Sequence, residues 1–555
     1  MMTKRKKNLF VPVICFFVAS ALFAGNDKCL DYYNGGMSAT AKICLNSQLS
    51  TETGASLAEA YYYLGEIYLD GNNQDSASYC FQKSAEADAE YPYALVGKGH
   101  LALLKNNKAE ADVLFSGAAK MDKKDSNIPV QTALAYAKCK MFTEAYVQLD
   151  KARKINKNNP DIYVAEGDII LMQDPSRAGD AAGKYENAIY FDKQCKVAYV
   201  KAARVFRTIN IDVSLKMIDD VLQIDPDYTP AYLEMGETYY ANGMYTKSAQ
   251  GYKRYMEAEG VPEEYQNKYA SSLFVGKDFA GTLNQVNKTL AKNPNNIHML
   301  RLQMFTLYEL KNYGEALNAA QKFFSVIKPE DAAWQDYRYY GLILKENQMD
   351  DQAIDAFEKA LALESSQTEL YKELASAYED KEDYANAAVI YGKYMQNSTS
   401  YTLSDILSYG KCYYMLGNNL TADQKDLKNS YFQKADSLFT QITEKAPDLY
   451  QGYWWRARAN AAMDPETKTG LAKPYYEQTL EKIEASKSDP SSVKLEAYNY
   501  LGYYYYLQYD SAVRSKQSKS DVDTYRLPAI DYWQKVLTLD PTNEGAKQAL
   551  DILKK

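Results

Sequence analysis

Between Tyr232 and Gly260 the apolar and small residues fall on two stripes of helical period. Tyr232, Met235, Gly236 and Tyr239 stand at i, i+3, i+4 and i+7, which is one face of a helix. Gly243 ends that stripe and Tyr245 opens a second, whose buried face is marked by Ser248, Tyr252 and Tyr255. Gly236 and Ser248 are small, so the two helices can cross closely, and a large side chain there would overpack the crossing. The pattern predicts two helices joined by a short turn.

The unit recurs. Ala202, Gly236, Ala270 and Met304 are spaced by 34 residues, and Gly341 to Ala375 repeats that step. A fixed period of this length marks helix–turn–helix repeats stacked into a solenoid. Tyr61, Leu64, Gly65, Tyr68, Ala77 and Phe81 form an early copy. Tyr337, Gly341, Ala353, Phe357 and Ala360 form a later one, followed by Tyr371, Leu374, Ala375, Tyr378, Tyr384, Ala387 and Tyr391. Tyr498, Leu501, Gly502, Tyr505, Ala529, Trp533 and Pro541 form the last. Pro226, Pro294, Pro447 and Pro541 each follow a second helix, where a residue without an N–H stops helix growth. The copies near Gly97, Gly167 and Ala457 are irregular.

These motifs resemble the tetratricopeptide repeat family: W/Y-x2-L-G-x2-Y on the first helix, A-x3-F-x2-A on the second, then Pro. The resemblance implies an all-α superhelical solenoid of about thirteen repeats over residues 58–542. Residues 25–57 form a lead-in, and residues 543–555 read as a capping helix with a polar outer side, as terminal units need. The later repeats carry insertions at Asn418 to Ser430, Asp464 to Gly470 and Gln508 to Leu527. The last contains a polar run that reads as an exposed loop.

The ends and composition add a location. Lys4, Arg5, Lys6 and Lys7 precede an apolar run from Leu9 to Phe23, the layout of a secretory signal, with Ala24 as the expected last residue removed and Ala21 as an earlier option. The alternative is an uncleaved anchor, but the run is shorter than the roughly 20 residues of a membrane span. No cysteine stands in a lipoprotein position. Together with only two histidines, this predicts an exported protein of the bacterial envelope, in the periplasm or on the periplasmic face of the outer membrane. Net charge is −8, and loss of residues 1–24 removes four positives and no negatives, leaving −12. Nucleic acid, which needs clustered Lys and Arg, is therefore not the expected partner. Export also permits disulfides. Cys29 and Cys44 can close a short loop in the lead-in, although sequence alone cannot fix connectivity. Cys80, Cys139, Cys195 and Cys412 read as small buried hydrophobes. Most of the 52 tyrosines suit half-buried helix faces.

Catalytic grammar is absent. There is no H-E-x-x-H, no phosphate-binding loop and no nucleophile elbow, so no enzyme activity, cofactor or metal is expected. His100 reads as a packing or surface residue. Two functions remain. One is a non-enzymatic scaffold that grips other envelope proteins. The other is a glycan- or peptide-binding component of an outer-membrane uptake system. In the resembled family the concave groove is lined by first-helix positions one and five residues after the opening Tyr or Trp. Here that register selects Arg301 and Phe305, Arg338 and Leu342, Lys372 and Ser376, Leu407 and Lys411, Trp454 and Arg458, and Asn499 and Tyr503, of which the basic and aromatic members are the candidate contacts. The set is basic and aromatic, which suits an extended segment carrying carboxylates and apolar anchors. Glu309, Glu346 and Asp380 on the same helices can neutralise it locally.

Overall fold

A computed structural model describes residues 27–555; the predicted leader, residues 1–24, lies outside them. The described residues hold 29 α-helices and no strand. Thirteen successive helix pairs run from Gly54 to Leu539. In each pair we call the first helix A and the second B. The chain divides into two compact units, at Thr306 and Leu307, inside the helix Ile297–Glu309.

The first unit holds seven complete pairs, beginning with Gly54–Asp70 and Gln74–Ala87 and ending with Glu263–Val275 and Phe279–Lys292. Four of its seven pairs are locked by a glycine on A beneath a ring on B: Gly65 under Phe81, Gly99 under Phe115, Gly167 under Tyr185 and Gly236 under Tyr252. A Cβ on Gly236 would lie 2.7 Å from the Tyr252 ring, and one on Gly65 would lie 2.3 Å from Phe81. Ser248, fully buried, donates from Oγ to the Gly236 carbonyl at 2.9 Å. The irregular copy near Gly97 now has a reason. Gly99, 34 residues after Gly65, packs under its own B-helix ring, Phe115, while Gly97 faces Phe81 of the preceding repeat. The A helix is thus squeezed from both sides, and two glycines are needed.

The turn between A and B repeats as faithfully as the helices. Asn72, Asn106, Lys140, Gly243 and Lys277 occupy the left-handed region at φ of 59–71°. Only Gly243 suits that conformation without steric cost. B helices end two residues before the prolines singled out by sequence: Ile224 before Pro226 and Lys292 before Pro294.

The second unit contains the B helix Tyr313–Val326, five further pairs and a terminal helix. Gly341 packs beneath Phe357, and Gly502 beneath Trp533. The terminal helix Glu544–Leu553 buries Ala546, Leu550 and Leu553 and exposes most of its remaining side chains, as a cap should. One expectation is corrected. Gln508 to Leu527 is not a loop: the thirteenth pair is Ser491–Arg514 and Lys519–Leu539, joined by a four-residue turn. Ala512 is buried on the same face as Leu501 and Tyr505, so the helical stripe continues through the polar run. Ser518 then caps the next helix by accepting from the Asp521 N–H. Asn418 to Ser430 likewise is largely helical, with only a short break before Lys425–Lys445. The Asp464 insertion is ordered around one carboxylate, which accepts from the backbone N–H groups of Lys468, Thr469 and Gly470.

The lead-in is also structured. Asp27–Asn34 and Ser38–Gln48 form a helical hairpin closed by a Cys29–Cys44 disulfide. Cys80, Cys139, Cys195 and Cys412 are free, and all but Cys139 are buried.

Candidate functional site

The A helices of the first unit carry a ladder of ion pairs that steps from one repeat to the next. His100 Nδ1 lies 3.0 Å from Glu66 Oε1, and Lys138 Nζ donates to Glu66 and to Asp70 at 3.1 and 2.8 Å. His100 is 2% exposed, so it is neither a surface residue nor an apolar packing residue. Burial opposes charge on both members of the pair, but their mutual attraction prevails, with Lys138 helping at Glu66 and opposing at His100: Glu66 is held at about 2 and His100 is pushed up to about 9. Further along, Lys201 pairs with Asp168 at 2.6 Å. Arg204 and Arg207 share Glu234, which is 1% exposed. Lys268 pairs with Glu237 at 2.9 Å. The hairpin Asp27–Gln48 lies against these same helices: Asp31 accepts from Lys196 at 2.7 Å and the Gly35 carbonyl from Arg204 at 3.0 Å.

The predicted groove residues divide between the units. Arg301 and Phe305 belong to the first. Phe305 is 8% exposed, with its ring 6.1 Å from Phe274, so it packs in the core. The rest belong to the second unit. Arg338 grips Glu373 with a fork, Nη2 to Oε1 at 2.5 Å and Nε at 2.9 Å. Lys372 pairs with Asp405 at 2.8 Å. Lys345 donates to Ser376 at 2.6 Å and pairs with Asp380 at 3.0 Å. Each of these cations is answered by an acid on the next A helix. Glu309 instead accepts from the Tyr339 hydroxyl.

From Lys411 onward the pattern changes. Lys411 Nζ sits 5.1 Å from the Trp455 ring, and among the described residues no carboxylate forms an ion pair with it. Arg458 lies 5.1, 4.9 and 5.6 Å from the rings of Trp454, Trp455 and Tyr414, and its link to Glu496 is a longer 3.4 Å. Tyr503 is 44% exposed. Three rings and two cations thus share one region across adjacent A helices, a combination that binds carboxylates and apolar groups together. Trp455 was not among the selected positions; the Trp454–Trp455 doublet was its signal in the sequence.

In the first unit a cleft of about 1120 Å³ opens between the B helices Tyr245–Tyr255 and Phe279–Lys292, bounded by Tyr269, Ser272 and Leu273, with Ile43 of the hairpin also lining it. No group of three or more metal-ligating side chains gathers among the described residues. No described helix is long and apolar enough to cross a membrane.

These repeats have known counterparts. No protein-family model matches the chain. Over 274 residues, 47% of the chain, it is 21% identical to the TPR repeat-containing protein YpiA of Bacillus subtilis (strain 168). That match spans 62% of the length of that curated relative. The crystal structure of the C-terminal part of a TPR repeat-containing protein from Cytophaga hutchinsonii is 30% identical, covering 51% of this chain and 99% of that one, with a TM-score of 0.41. The APC/C hetero-tetramer Cut9–Hcn1 is 15% identical, covering 90% of this chain and 96% of that one, with a TM-score of 0.28. The chain belongs to the tetratricopeptide repeat family.

Proposed function

We propose that the chain is a non-enzymatic scaffold of the bacterial envelope, which holds an extended, carboxylate-bearing segment of a partner protein on the A-helix face of its second unit. The observation that carries this reading is the cluster of Lys411, Trp454, Trp455, Arg458 and Tyr414. Arg338 and Lys372 are already matched by Glu373 and Asp405, so their charge is spent inside the protein. Lys411 has no such match, and Arg458 is held chiefly by ring faces. A partner carboxylate at this place finds two cations whose hydration has already been reduced, and the rings supply contact area. The envelope assignment is supported by the basic-then-apolar start of the chain and by the Cys29–Cys44 disulfide, a bond that persists in oxidising compartments.

The test is recovery of partners from envelope extract by the tagged protein, comparing wild type with Lys411→Glu and with Trp454→Ala. Both variants should fold and lose the partner set. Normal recovery by both variants rejects the site. A glycan-array signal without recovered protein would move the reading to the uptake-component alternative.

A further inference from the structure

The disulfide-closed hairpin Asp27–Gln48 does more than precede the first repeat. Its second helix stacks on the first pair in the ordinary way, with Ala41 and Leu45 fully buried beside Ala60 and Leu64. Its first helix reaches residues far along the chain. The Tyr33 ring meets Tyr63 edge-on at 5.1 Å, and its hydroxyl stands beside Lys138. Asp31 is bound by Lys196, 165 residues away, and the Gly35 carbonyl by Arg204, 169 residues away. At Gly35 the approach is so close that a Cβ would fall 2.5 Å from the Pro230 ring. Tyr32 and Met37 are buried in a cluster that includes Leu233 and Tyr255.

Lys138, Lys196, Arg204 and Pro230 lie on the A helices of the third, fifth and sixth pairs, and Tyr63 on that of the first. These helices form the face that a repeat array offers to a ligand. The hairpin meets that face as a bound peptide would. An acid, a tyrosine hydroxyl and a turn carbonyl each meet a cation, and the apolar side chains between them are covered.

We propose that the inner face of the first unit is a peptide-binding groove whose occupant is the chain's own N-terminal hairpin, so that this unit is closed to outside segments while the hairpin is docked. The groove's specificity is then written in its occupant: an Asp-x-Tyr turn of helix followed by a tight Gly-Gly turn, Asp31 to Gly36. The inference stands apart from the reading of the second unit. Cys80 offers a reporter. Its thiol is buried in the same apolar cluster as Cys29 and Leu45, and that burial pushes its pKa up to about 11, so it is a poor nucleophile while the hairpin covers it.

The experiment places a protease site in the exposed linker at Ser50 to Thr53 of the full chain and cuts it with the disulfide intact. The severed hairpin should remain with the body through gel filtration. It should exchange over time with a fluorescent, disulfide-closed peptide of residues 27–48. Cys80 should stay unlabelled by N-ethylmaleimide. The same chain carrying Asp31→Lys and Gly35→Val should release its hairpin on cutting, expose Cys80 at least ten-fold faster, and bind the wild-type peptide. If those substitutions prevent folding, Lys196→Glu with Arg204→Glu serves instead and should release the wild-type hairpin. Immediate loss of the wild-type hairpin overturns the proposal. So does retention of the doubly substituted one, or a released body that does not bind the peptide.

Discussion

The two units use one repeat grammar and differ in what covers their A helices. In the first, cations on the inner face are consumed twice, by acids of neighbouring repeats and by the docked hairpin. In the second, Arg338, Lys345 and Lys372 are consumed by acids one repeat on, but Lys411 and Arg458 meet mainly aromatic faces. The comparison shows that a basic stripe in a repeat protein is not yet a binding site. Among the described residues, Lys411 is the cation of this stripe to which the next repeat supplies no acid, whereas Arg458 keeps a longer link to Glu496 and lies against three rings. Pairing across the repeat step leaves most of the array electrostatically closed, and departures from it mark the surface that remains open.

The largest effects should come from the shared scaffold, where the two units ought to behave alike. Gly236→Leu in the first unit and Gly341→Leu in the second push side chains into Tyr252 and Phe357. Each should cost about 3 kcal/mol or more in chemical denaturation. Gly251→Ala should be as severe despite its single methyl, because the Cβ would lie 2.5 Å from the Gly236 backbone nitrogen, which cannot rotate away. Mild effects from all three would show that the helix crossings are looser than drawn.

A pH series separates the units. His100 in the first unit has a raised pKa, so its contribution is fully present below its ordinary value near 6.5 and is lost as pH rises through about 9. Thermal melting of the first unit should fall by several degrees between pH 6.5 and 9.5. His100→Gln should start lower and lack that slope. Glu66 acts in the opposite sense: its stabilisation is present above about 4.5 and is lost as pH falls toward 2. An identical pH slope in the variant would remove the ion pair from the account.

In the second unit, Trp454→Ala should weaken a partner by about 2 kcal/mol, roughly thirty-fold, and should also lower melting, because the ring packs against the cluster of Ala457, Tyr476 and Leu501. Titration of a recovered partner against wild type and variant measures the difference. The smallest effect belongs to the turns. Lys277→Gly relieves a left-handed residue at φ 63° and should raise stability by about 0.5–1 kcal/mol, while Gly243→Ala at φ 71° should lower it by a similar amount.

Much of this architecture was legible in the residues. The 34-residue steps through Gly236 and from Gly341 to Ala375 encode the crossings, because a small residue recurs where a large B-helix side chain such as Tyr252, Phe357 or Tyr391 lies over the A helix. The prolines were equally readable. The left-handed turns were not, since Lys, Asn and Gln hold positions where only Gly243 announces itself. The polar run after Gln508 concealed a helix because its buried positions, such as Ala512, are sparse. For the candidate site, sequence found Lys411, Trp454 and Arg458 from their register but could not separate them from Arg338 and Lys372. The difference lies in partners 33 and 35 residues away, Asp405 for Lys372 and Glu373 for Arg338, which no helix-local rule considers. The hairpin was beyond reach for a stronger reason. Asp31 and Lys196 are 165 residues apart, and no motif in the lead-in matches the repeat.

The claim that the first unit is closed and the second open is tested most directly by in-cell crosslinking with an amine-reactive reagent, followed by mass spectrometry of the full chain. The account predicts partner crosslinks at Lys411 and at lysines beside the Trp454 cluster, and only internal links, to hairpin residues, at Lys138 and Lys196. Partner crosslinks concentrated at Lys138, Lys196 and Lys201, with none at Lys411, would contradict it.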